Sequence, residues 1–113
     1  MSAITTHVLD TARGRPAAGI PVRLERRGEA GWEELGRGTT DGDGRCGALM
    51  PAAAALRPGA YRLRFAVAEH FAAAGTPAFY DRITVEFRVE EEAGHYHVPL
   101  LLGRYGYTTY RGS

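Results

Sequence analysis

The residue types best suited to proton chemistry are His7, His95 and His97, with Arg45 as a polar partner. An imidazole titrates near pH ~6.5, so it takes or gives a proton close to neutrality. Alternation along a strand sorts side chains onto two faces. In residues 4–9, Thr5, His7 and Leu9 share one face, and Ile4, Thr6 and Val8 the other. In residues 95–101, His95, His97, Pro99 and Leu101 share a face opposite Tyr96, Val98 and Leu100. The faces without histidine are apolar enough for a core, which leaves the histidines on the outer faces. Leu9, Pro99 and Leu101 make those outer faces partly apolar as well. Such a face is expected to be covered, commonly by another subunit. The plain alternative for either His7 or His97 is a solvated strand residue.

His95 and His97 also form a His-x-His pair on one strand face, a spacing that can hold a metal. No third ligand is evident, so no metal is expected. His70 falls in a short helical stretch and reads as a surface residue. Arg45 follows Thr-Asp-Gly-Asp-Gly, a tight-turn sequence without the acidic ladder and closing Glu of a calcium loop. On a short strand after that turn, its guanidinium fork could meet a carbonyl or carboxylate; the alternative is an exposed Arg. The chain ends Tyr110-Arg111-Gly112-Ser113, continuing a strand-like run. Ser2 and Ser113 are the only serines, and no Gly-x-Ser-x-Gly elbow is present.

Composition narrows the classes further. All 14 strongly basic residues are Arg, so a Schiff-base or phosphate-loop lysine is excluded. The net charge of +1 gives no bulk attraction to nucleic acid or to an anionic membrane. The single cysteine, Cys46, rules out an intrachain disulfide and argues against a Cys-based zinc site. No apolar run reaches membrane-spanning length, and the first residues lack a signal-peptide pattern. The expected compartment is the cytoplasm.

The elements that would position these residues are short strands. Gly and Pro recur at close intervals, and between them lie alternating, β-branched or aromatic runs at 4–9, 22–26, 32–39, 61–68, 82–89, 95–101 and 105–111. Residues 69–74 hold helix formers followed by Gly75, a stop signal. Residues 50–58 are Ala- and Pro-rich and read as a connecting loop. The expectation is one all-β domain over 1–113, an antiparallel β-sandwich of seven to eight strands with one short helix.

ITTHVLD with GRPAAGIPVRL at the start, GRC after the turn, and YHVPLLL with YGYTTYRGS at the end resemble the 5-hydroxyisourate hydrolases, enzymatic relatives of transthyretin. The likeness runs from Ile4 to Ser113, and the YRGS terminus is its most specific part, since the binding-only transthyretins lack it. One departure is Gly103-Arg104, where the family commonly reads Ser-Pro. The resemblance implies a transthyretin-like sandwich and a homotetramer, a dimer of dimers, around a central channel. It implies catalytic roles for His7, Arg45 and His97. It implies substrate contacts from Tyr110, Arg111, Gly112 and Ser113, with His95 beside them. The implied reaction is cofactor-free hydrolysis of 5-hydroxyisourate to 2-oxo-4-hydroxy-4-carboxy-5-ureidoimidazoline. The rival reading is a transthyretin-like binding protein without hydrolase activity. A structural or adhesive β-sandwich and a His-based metal protein are more distant alternatives.

Overall fold

A computed structural model describes residues 3–51, 54–90 and 94–113. Two sheets face each other across one core. The first contains β1 (Ile4–Asp10), β2 (Arg15–Pro16), β5 (Arg45–Cys46), β8 (Tyr96–Leu102) and β9 (Tyr107–Thr109). The second contains β3 (Pro21–Gly28), β4 (Gly31–Thr39), β6 (Gly59–Phe65) and β7 (Ile83–Val89). Strand order is β2-β1-β8-β9 in the first sheet, with β5 also paired to β1, and β4-β3-β6-β7 in the second. A short helix, α1 (Ala68–Ala73), precedes β7.

The alternation read from the sequence is the alternation observed. β1 is buried at every second residue, from Ile4 through Thr6 and Val8 to Asp10. Tyr96, Val98, Leu100 and Leu102 of β8 are buried on the same inner side. They meet Leu24, Tyr61, Leu63, Phe65 and Ile83 of the second sheet. Each such large apolar side chain contributes roughly 1.5–3 kcal/mol on burial. Thr6 is polar but has a partner, since its hydroxyl donates to the Val98 carbonyl.

Two features differ from expectation. β1 and β8 run parallel, with Thr5 opposite His97 and His7 opposite Pro99. The ends of the chain therefore lie side by side, and residues about 90 positions apart become neighbours. His70 is not a surface residue. Its Nε2 lies 2.7 Å from Oδ2 of Asp10, and the two side chains are 12% and 0% exposed. The Asp10 carboxylate also accepts from the Arg13 amide at 3.0 Å. The buried carboxylate needs partners, and α1 supplies one that local sequence could not reveal. Part of the loop at 50–58 packs inward through Met50 and Leu56; Ala52 and Ala53 lie outside the described residues.

Candidate active site

The site begins at a turn. Oδ1 of Asp41 accepts from the backbone amides of Asp43 at 2.9 Å and Arg45 at 3.0 Å. Gly44 has φ +79, and a Cβ there would lie 2.3 Å from the Val8 carbonyl oxygen. Only glycine lets the turn lie this close to β1. The Gly44 carbonyl accepts from the Val8 amide at 2.7 Å, which fastens the turn to β1. β5 then pairs with β1, with Arg45 opposite His7 and Cys46 opposite Thr6. His7 Nε2 lies 2.8 Å from the Asp43 carbonyl. A carbonyl only accepts, so Nε2 of His7 is the nitrogen that donates to it.

The parallel β1–β8 pair brings His97 to Thr5. The Thr5 hydroxyl lies 2.8 Å from His97 Nδ1 and 3.3 Å from His95 Nε2. His97 is half-buried and His95 exposed. Burial, first, and then the positive charge of Arg45 and the neighbouring His7 and His95 hold the His97 pKa below the usual imidazole value. The neutral ring is therefore favoured. Burial also pushes the Cys46 thiol up, away from thiolate chemistry.

The chain's own tail closes one side. The Gly112 amide donates to the His97 carbonyl at 2.8 Å, and the two residues form a bridge. A Cβ on Gly112 would sit 2.7 Å from Cδ2 of His97 and 3.1 Å from Cγ of Pro99. The tail thus covers Pro99, which is buried although it lies on the outer face. A cavity of about 280 Å³ opens here, lined by Thr5, Arg45, Cys46, His95, His97 and Ser113 among others.

Of the residues expected from sequence, Arg45, His95, His97 and Ser113 line this one cavity. His7 adjoins it as the cross-strand partner of Arg45. Tyr110 and Arg111 do not line it. The Arg111 guanidinium stacks over the Tyr96 ring at 4.4 Å, and both tail residues border a different cavity with Tyr96 and Val98. The tail continues the β8–β9 pairing of Leu100 with Thr109 back to His97 with Gly112. Alternation then sends the Arg111 side chain to the inner side. Thr5 was grouped with His7 by alternation, but its contact with His97 needed the parallel pairing. Among the described residues no group of three His, Cys, Asp or Glu is arranged to hold a metal.

A two-sheet sandwich with an imidazole- and guanidinium-lined cavity on one outer face is a transthyretin-like architecture. The chain belongs to the HIUase/transthyretin family, whose model matches residues 4–112. The 5-hydroxyisourate hydrolase of Caulobacter vibrioides is 47% identical over 117 residues, covering 100% of both chains. The solved structure of Klebsiella pneumoniae 5-hydroxyisourate hydrolase superposes with a TM-score of 0.83 at 37% identity, over 100% of each chain. Transthyretin from Sparus aurata superposes with a TM-score of 0.91 at 26% identity, over 99% of this chain and 97% of that one. Carrier and hydrolase share this fold, so the side chains of the site must separate them.

Proposed function

We propose that this protein is an enzyme of urate breakdown that hydrolyses 5-hydroxyisourate to 2-oxo-4-hydroxy-4-carboxy-5-ureidoimidazoline. One observation carries the reading. Arg45, His95, His97 and Ser113 line a single cavity in a chain 47% identical to a 5-hydroxyisourate hydrolase along its whole length.

Water adds to a ring carbonyl carbon, and its proton passes to an imidazole. The tetrahedral adduct then collapses with cleavage of the ring C–N bond. The leaving nitrogen takes a proton and the carbonyl carbon becomes the carboxyl group. The sequence leaves open whether His7 or His97 activates the water. We assign that role to His97, because its environment favours the neutral ring and its Nδ1 is engaged by Thr5. His7, whose Nε2–H is held by the Asp43 carbonyl, holds the substrate or, when protonated on Nδ1 as well, delivers that second proton to the leaving nitrogen. Arg45 stabilises the negative charge developing on the ring oxygen. The tail acts through the Gly112 main chain and through Ser113; Arg111, stacked on Tyr96, supports it from the other side, and Tyr110 flanks it on the site's face. No step calls for a metal or organic cofactor.

We further propose a homotetramer in the cytoplasm. The half-buried Leu101 on the site's face, with the exposed Tyr110 two residues before Gly112, supports a covering subunit. The free, buried Cys46 suits a reducing compartment. No helix among the described residues is long and apolar enough to cross a membrane.

The direct experiment mixes purified protein with freshly generated 5-hydroxyisourate and follows its ultraviolet decay. Decay well above the uncatalysed rate is expected. Decay at the uncatalysed rate, with the compound retained in a bound form, would instead make the protein a carrier.

A further inference from the structure

The second sheet turns its outer face away from the histidine cavity, and that face concentrates arginine. Arg37 of β4, Arg23 of β3 and Arg64 of β6 are consecutive cross-strand partners. Adjacent strands lie ~4.8 Å apart, and like charges directly opposite each other destabilise a sheet. Arg82, just before β7, joins the same cavity, which measures about 320 Å³ and is also lined by Pro21 and Thr39.

Neutralisation of this row is incomplete. Glu34 is shared by Arg23 at 3.0 Å and Arg37 at 2.8 Å. Glu25 is held by Arg62 at 2.6 Å and stands 3.7 Å from Arg64. Glu86, the cross-strand partner of Arg62, is 4.0 Å from Arg27. Arg82 has no carboxylate partner among the described residues. The six guanidiniums of Arg23, Arg27, Arg37, Arg62, Arg64 and Arg82 thus face the three carboxylates of Glu25, Glu34 and Glu86. That leaves an excess of three positive charges on a chain whose net charge is +1.

We propose that this cavity is a binding site for a small, multiply charged phosphate anion of the di- or triphosphate class, separate from the hydrolytic site. Guanidinium forks match phosphate oxygens, and a singly charged anion would leave most of the excess unneutralised. Two features prepare the site. Glu34 holds Arg23 and Arg37 in place on the cavity wall, and Glu25, itself fixed by Arg62 next to the cavity, stands 3.7 Å from the lining Arg64. Side chains already ordered lose less entropy when a ligand arrives. The bounded cavity, and the low net charge of the chain, favour a small anion over a nucleic acid strand. Free pyrophosphate and the phosphate chain of a nucleoside triphosphate offer the same chemistry here.

The test is calorimetric titration and thermal melting with pyrophosphate, with ATP, and with sodium chloride at matched ionic strength. Pyrophosphate is expected to bind and raise Tm beyond the chloride control. Arg82→Gln, an exposed change that cannot unfold the sheet, should weaken binding several-fold; Arg64→Gln with Arg82→Gln should weaken it tenfold or more. Arg45→Gln, in the hydrolytic site, should leave it unchanged. ATP binding as tightly as pyrophosphate assigns recognition to the phosphates alone, and tighter ATP binding adds a base contact beside them. Three results would overturn the proposal: a chloride response equal to that of pyrophosphate, loss of binding in Arg45→Gln with retention in the double variant, or preference for a mixed oligonucleotide at equal phosphate concentration. None depends on 5-hydroxyisourate turnover, so the proposed reaction and this site can fail separately.

Discussion

The hydroxyl of Thr5 stands 2.8 Å from Nδ1 of His97, directly across the parallel pair of β1 and β8. The same oxygen is 3.3 Å from Nε2 of His95. A hydroxyl has one proton to donate, so it donates to one ring and accepts from the other. If it accepts from His97, Nε2 of that ring keeps the lone pair that water activation needs. Thr5→Val should therefore lower kcat by about tenfold, the order of one hydrogen bond's contribution. Thr5→Ser should restore most of it. A kcat–pH profile displaced in Thr5→Val and normal in Thr5→Ser would identify a positioning role; equal activity in all three proteins would remove Thr5 from the site.

Direct loss of an imidazole should be more severe. His97→Ala and His7→Ala should each reduce turnover by ~10²–10⁴. Both rings lie on the outer face, so circular dichroism and Tm should change little. Parent-like turnover in both variants would sink the mechanism.

The pH dependence has a definite sign. His97 has a folded pKa below its unfolded value near ~6.5. The unfolded chain binds the proton more readily, so this group's effect on stability is absent above pH ~6.5. Stability declines as pH falls from there through the folded pKa. Activity that needs neutral His97 should persist below pH ~6.5 and fall only as that lower pKa is crossed. An acid limb centred at or above ~6.5, recorded in kcat over pH 4.5–8, would assign the base elsewhere.

Gly112 is required by close approach rather than by backbone conformation, since it is not among the glycines with positive φ. The Cβ of Gly112→Ala would meet His97 Cδ2 at 2.7 Å, so either the tail lifts or the ring turns. Activity should drop at least several-fold while Tm stays close to the parent's. Deleting residues 111–113 should do the same, more strongly. A fully active deletion would show the tail to be dispensable.

His70→Ala should be a stability variant. It leaves the Asp10 carboxylate buried with one partner fewer, at a cost of roughly 1–3 kcal/mol or more. Urea denaturation should show a lower midpoint with an unchanged slope. A midpoint equal to the parent's would mean that the pair contributes nothing net.

The strands were legible because period-two alternation and glycine punctuation are local properties of the chain. The same alternation put His7 and His97 on outer faces, and the turn chemistry of Asp41 and Gly44 was readable beside Arg45. The family likeness named the reaction, which no local pattern could. Applied to the tail, alternation could also have separated Arg111 from Gly112, but only once the tail's register against β8 was known.

Residue types and their faces were determined by the sequence alone: neutral-range bases and guanidiniums on strand surfaces, with no lysine and no disulfide. Their meeting was decided by tertiary structure. The parallel β1–β8 pair joins Thr5 to His97, the turn carries Arg45 to His7, and α1 brings His70 to Asp10. The row of Arg37, Arg23 and Arg64 exists only through the registers of three strands. Strand pairing is a long-range choice, set by which buried faces pack best together, and nothing in a short window of residues encodes it.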